Sequence, residues 1–262
     1  MTLPIYQVDA FTSKQFGGNP AAVVPLEKWL DDETLQNIAA ENNLSETAYI
    51  VKEGDHYHIR WMTPTTEVNL CGHATLASAY VIFNLIEKSI NKIRFTSRSG
   101  DLFVEREGEM LSLNFPTNKP APAKVPEKLD ECFNIKPIEI LEGGEYLFLV
   151  FDSEDFIRSY EPNYDLIKMI HPHAVIITAK GSTVDFVSRM FAPNVGINED
   201  PVTGSAHTVL TPYWSEKLSK NKLSALQVSK RVGELQCENL GVRVKISGKA
   251  AIYLTGAINL NL

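Results

Sequence analysis

The chain carries one local plan twice, and this constrains its fold more than any other feature. In the first half Arg60-Trp61-Met62-Thr63-Pro64 precedes a polar loop and then Cys71-Gly72-His73-Ala74-Thr75. In the second half Arg189-Met190-Phe191-Ala192-Pro193 precedes a polar loop and then Thr203-Gly204-Ser205-Ala206-His207. Each copy reads as a strand, a proline turn, a loop and a small-residue start to an apolar helix. Two such copies predict two lobes of shared plan facing each other. A site between them would see two helix N-termini at once. Their unpaired N–H groups and partial positive charge suit an anionic small molecule.

The rest of the chain fits that plan. Ile-, Val- and Tyr-rich alternation over 3–10 predicts a strand, and Ala21–Val24 another. A helix is expected over 31–42, capped by Asp31 or Asp32, and paired strands over 47–52 and 57–62. Residues 73–87 are apolar nearly all round and predict a buried helix. Strands at 93–97, 101–107 and 110–115 read as an antiparallel meander. Pro116, Pro120, Pro122 and Pro126 form a semi-rigid linker, which sets the lobes at 1–117 and 118–262, the last strand being free to pack back on the N-terminal lobe. After the linker the pattern restarts, with paired strands at 174–179 and 184–191 and a second central helix at 205–218. Pro212 inside that helix predicts a kink or an irregular turn. The fold class is therefore α+β: two pseudo-symmetric lobes, each a curled, mostly antiparallel sheet around a central helix.

Composition excludes some partners. With 44% hydrophobic and 22% charged residues and a net charge of −7, the chain is an ordinary globular sequence without a basic stripe, which argues against nucleic acid. No apolar run approaches a membrane span, and no signal-peptide pattern opens the chain, so a cytoplasmic protein is expected. Three cysteines suit reduced thiols rather than a disulfide framework. The spaced pairs His56/His58 and His171/His173 lack the further ligands that a zinc site needs, and no metal is expected.

The halves differ at their polar positions. Glu46, ahead of the first repeat, aligns with Pro172 ahead of the second. A carboxylate in a dry cleft would have a raised pKa and could serve as acid and base near neutrality; the plainer alternative is a helix-end or surface carboxylate. Gly204 permits close backbone approach to a ligand, Ser205 stands where an N-cap is expected, and Asp200 could hold the loop or bind a substrate amine or hydroxyl. A plain capped helix start would explain the same residues. His73 at a helix N-terminus is expected to have a lowered pKa. Cys71 there could be a thiolate base, but its counterpart is Thr203, which excludes a two-thiol mechanism.

At these residues the chain resembles the phenazine-biosynthesis (PhzF-like) family, within the diaminopimelate epimerase-like fold. The resemblance rests on Asp9-Ala10-Phe11, Phe16-Gly17-Gly18-Asn19-Pro20-Ala21-Ala22-Val23, Ser45-Glu46-Thr47-Ala48, the Thr63 to Thr75 stretch and the Arg189 to His207 stretch. It implies a cofactor-independent isomerase that moves a proton on a small carboxylate bound between the lobes, and a homodimer. It also implies Glu46 as general acid/base, with Asn19, Gly72, His73, Asp200, Gly204 and Ser205 at the substrate. Two alternatives remain: a non-catalytic binder of small anionic metabolites, and a cysteine-dependent epimerase using Cys71.

Overall fold

The computed structural model describes residues 1–261. They divide into two compact units, Met1–Asn114 together with the segment from Ser247 onward, and Phe115–Ile246. In sequence the second unit is thus an insertion in the first. The strand Ala250–Asn259 pairs antiparallel with Thr2–Ala10, from Thr2 opposite Asn259 to Ala10 opposite Ala250. That pairing is why the closing segment belongs with unit 1 and not with the residues just before it. The division falls at 114/115, against the 117/118 expected from the prolines.

In unit 1, Asn19–Leu26 runs antiparallel to Thr2–Ala10 and parallel to Glu46–Glu53, with Ala21 opposite Glu46. Glu46–Glu53 then turns back onto His56–Met62, which runs parallel to Lys92–Ser97. Each parallel step needs a crossover. The helix Asp32–Asn42 makes the first, and the helix Gly72–Val81 makes the second. Asp31 caps the first helix by accepting from the Thr34 N–H, and Asn43, in the left-handed region, ends it. Leu35, Ile38 and Ala39 from this helix pack with Val24, Tyr49, Val51 and Met62 of the strands. The second helix is buried along nearly its whole length, as its unbroken apolar character requires. It gives way at Ile82 to a π-helical turn ending at Ile86, so the expected single helix to residue 87 has two parts. Arg106 donates to the carbonyls of Phe83, Lys88 and Ile90 and satisfies the irregular end.

Unit 2 repeats these steps. Tyr146–Val150 runs parallel to Ala174–Lys180, with Tyr146 opposite Ala174. Ala174–Lys180 pairs antiparallel with Phe186–Ala192, which runs parallel to Lys222–Gln227. Two short helices, Glu154–Ser159 and Tyr164–Ile170, make the first crossover, and the helix His207–Leu218 makes the second. The short helices pack Phe156, Ile157, Ile167 and Ile170 against Leu149, Val175, Ile177 and Phe191. Parallel pairings thus stand among the more numerous antiparallel ones in both units. Pro212 does not break its helix, which runs unbroken through it. The carbonyl that Pro212 cannot serve, that of Thr208, accepts from the Asn118 N–H at 3.2 Å, and the Asn118 amide also donates to Thr208 Oγ1.

The loop ahead of each central helix is anchored by an arginine. Arg60 holds Glu67 with two hydrogen bonds of 2.8 Å, and Arg189 holds Glu199 with two of 2.7 and 2.9 Å. These bidentate pairs fix each loop relative to its strand. No helix among the described residues is long and apolar enough to cross a membrane.

Candidate active site

Strand register corrects the alignment of the two halves. Glu46 lies opposite Ala21 in one parallel pair and Ala174 lies opposite Tyr146 in the other. Thr47 pairs with Met62 where Val175 pairs with Phe191. The counterpart of Glu46 is therefore Ala174, two residues beyond Pro172. Unit 2 has no carboxylate at that position.

In unit 1 the fold gathers Asn19, Glu46, Cys71 and His73. Asn19 opens its strand directly after Gly18, whose φ is +58°. A Cβ on Gly18 would lie 2.0 Å from the Ala10 carbonyl oxygen, so only glycine allows the chain to present Asn19 here. Glu46 opens the neighbouring strand. Cys71 is the N-cap of the buried helix, Gly72 is its first residue and His73 follows. Glu46 Oε2 is 3.2 Å from His73 Nε2. The other ring nitrogen, Nδ1, is 3.2 Å from Asn19 Nδ2 and 3.5 Å from Cys71 Sγ. All four side chains are buried, Glu46 being the most open at 8% exposure. Although close, Glu46 Oε2 and His73 Nε2 make no aligned hydrogen bond. Both atoms keep capacity for a third group.

Burial pushes the Cys71 thiol up to about 11, and the Glu46 charge adds to this. Cys71 is therefore a thiol at neutral pH, not the thiolate that its helix-end position suggested. For His73 burial acts downward, but the Cys71 thiolate (when formed) and the Glu46 carboxylate act upward and prevail. The ring is held well above the ordinary histidine value, the reverse of the lowering expected from the helix end. The Glu46, Cys71 and His73 donor atoms lie within 4.8 Å of one another, close enough to suggest a metal centre. Within the ring, Nε2 faces the carboxylate and Nδ1 faces the sulfur.

In unit 2 the equivalent loop is built from neutral groups around one acid. Thr203, the counterpart of Cys71, donates its hydroxyl to Asp200 Oδ2 at 2.5 Å. Gln227, fully buried, accepts from the Thr203 N–H and donates to the Asp200 carbonyl. Gly204 accepts from the His207 N–H at 3.0 Å. Ser205 is not the N-cap; the helix starts at His207 after Ala206. Its hydroxyl is instead 2.7 Å from Tyr146 Oη. Burial raises the Tyr146 phenol to about 12, so it remains protonated. Tyr146 and Gln227 were absent from the sequence-based candidates. The apolar run around Tyr146 reads as a strand, but only the parallel register brings its hydroxyl to Ser205. His56 lies near Asp55 and Glu53, and His58 near Glu53, at the start of the strand His56–Met62.

Comparison with known proteins agrees with this architecture. Residues 8–256 match the family described as phenazine biosynthesis-like protein. An uncharacterized isomerase of Pseudomonas aeruginosa is 50% identical over 260 residues, covering 99% of this chain and all of that protein. A phenazine biosynthesis-like domain-containing protein of Mus musculus is 40% identical over 286 residues, covering 98% of this chain and 99% of its own. The crystal structure of a PhzF-family phenazine biosynthesis protein from Enterococcus faecalis superposes with a TM-score of 0.97 at 46% identity, covering 99% of this chain and all of that one. With relatives named as isomerases and a shared α+β fold, the chain belongs to the phenazine biosynthesis-like (PhzF) family.

Proposed function

We propose that the protein is a cofactor-independent isomerase that moves a proton between two carbons of a small carboxylate substrate, with Glu46 as general acid/base. The observation that carries this is the buried Glu46–His73 pair, 3.2 Å apart, whose facing atoms have no aligned hydrogen bond. Glu46 takes a proton from an acidic C–H and the electron pair moves into the conjugated carboxylate. Glu46 then returns the proton to another carbon on the same face. One base suffices when water is kept from the held proton. N–H groups at a helix start stabilise the charge that develops. His73, Asn19 and Gly72 in unit 1, and Asp200, Gly204 and Ser205 in unit 2, are assigned to substrate by family resemblance. The thiol state of Cys71 and the hydroxyl at Thr203 both favour Glu46 over a cysteine base.

The test is proton NMR in D₂O with a panel of cyclic and acyclic hydroxy- and amino-carboxylates, including a dihydro-hydroxyanthranilate. Isomerisation or deuterium uptake that is lost in Glu46→Gln is the expected result. Wild-type turnover by Glu46→Gln sinks the assignment. Binding without chemistry across the panel favours a non-catalytic binder of anionic metabolites.

A further inference from the structure

We infer that Asn19 is a positioning residue: its amide N–H, turned to His73 Nδ1, locks the imidazole as the Nε2–H tautomer and steers the next proton to Glu46 rather than to the ring. This rests on the reading of Glu46 as general acid/base, and it goes beyond the substrate contact that family resemblance gives Asn19.

A neutral imidazole has one donor nitrogen and one acceptor nitrogen, and the partner of one decides the state of the other. Here Nδ1 has two polar neighbours. The Asn19 amide nitrogen, at 3.2 Å, can only donate. The Cys71 sulfur, at 3.5 Å, is a thiol at neutral pH and can offer its S–H as a weak donor. Both neighbours suit a bare Nδ1. The ring proton then sits on Nε2, facing Glu46 Oε2. The larger upward pull on the ring comes from a Cys71 thiolate, which is absent at neutral pH, and the lesser from Glu46; an imidazolium also needs an acceptor at Nδ1, and a donor stands there. A proton lifted from substrate therefore stays on the carboxylate, from which it can be returned. An imidazolium would instead pair with Glu46 and weaken it as a base. Asn19 is fully buried, and its backbone is fixed by the close approach of Gly18 to Ala10. The lock is therefore built into the strand start.

The experiment uses the full chain with ¹⁵N-labelled histidine and long-range proton–nitrogen correlation spectra at neutral pH. His73 is assigned among the six histidines by its loss in His73→Gln. The expected wild-type spectrum has a bare Nδ1 and a protonated Nε2. In Asn19→Asp, which places an acceptor at Nδ1, the ring is expected to become imidazolium, and deuterium uptake by the carboxylate panel to fall at least about tenfold. In Asn19→Ala a mixture of tautomers is expected. A protonated Nδ1 in the wild type overturns the proposal without need of any Asn19 variant, and so does an unchanged His73 spectrum in Asn19→Asp. Failure of the Glu46 reading has a separate signature: Glu46→Gln keeps full uptake whatever the tautomer.

Discussion

The two central helices begin alike in backbone and differ in chemistry. At the start of Gly72–Val81 stand a thiol and an imidazole, with a carboxylate from the adjacent strand. At the start of His207–Leu218 the corresponding positions are the hydroxyls of Thr203 and Ser205, and the strand position is Ala174. Thr203 is already committed to Asp200, and Ser205 to Tyr146. The repeated scaffold thus carries a carboxylate, a thiol and an imidazole at one helix start and hydroxyls at the corresponding positions of the other. The contrast favours one base rather than two opposed ones.

The contrast breaks most sharply at Glu46. Glu46→Gln is expected to lower turnover by about 10²–10⁴-fold, whereas Ser205→Ala should cost about tenfold or less, as for one neutral hydrogen bond. Equal losses in the D₂O assay would erase the division of labour. The arginine anchors come next. Arg189 also donates to the carbonyls of Ile157 and Tyr160, and its side chain is 9% exposed. Arg189→Met leaves Glu199 and both carbonyls unpaired and should cost about 3–5 kcal/mol. Arg60→Met leaves Glu67 its contact with Arg98 and should cost about 1.5–3 kcal/mol. Urea unfolding of the two variants checks the order.

A third difference follows the helix start. Thr75 and His207 occupy equivalent positions and bond to the carbonyls of Cys71 and Thr203 respectively. Burial lowers the His207 pKa from 6.5 to about 4. The unfolded chain therefore binds the extra proton between those values. The contribution is complete above pH 6.5, falls as pH drops through that window, and is lost below 4. It amounts to about 3 kcal/mol. His207→Thr should flatten this part of the stability profile, read by denaturation at pH 7 and pH 4.5. The smallest effect is expected at Cys71. Cys71→Ala should change turnover by less than about tenfold, since a thiol near pKa 11 supplies little thiolate. A loss as large as that of Glu46→Gln would revive the cysteine mechanism.

The strand pairs and both central helices were legible because their apolar patterns are local. Glu46, Asn19 and His73 were legible through motifs, and the structure brings them together. What escaped depends on register and on non-local partners. Ala174 replaces Pro172 as the counterpart of Glu46 because the parallel pairing, not residue order, sets equivalence. Tyr146 reaches Ser205 across 59 positions, and Gln227 reaches Thr203 across 24. Pro212 looked disruptive because Asn118, which serves the stranded carbonyl, lies 90 positions from Thr208.

The pairing of Thr2–Ala10 with Ala250–Asn259 bears on how the molecule is made. The Met1 amino group donates to the Leu260 carbonyl at 2.6 Å, and the Leu260 N–H donates back to Met1 at 2.8 Å. On the ribosome the opening strand is made first, yet its partner emerges only after all of Phe115–Ile246. The unit that starts second can finish folding first, while the N-terminal sheet waits with a bare edge, open to chaperones or to wrong partners. The same adjacency makes the molecule a good subject for circular permutation: joining residues 1 and 260 through a short linker and opening the chain at the exposed Gly54 turn would let these two neighbouring strands be synthesised together.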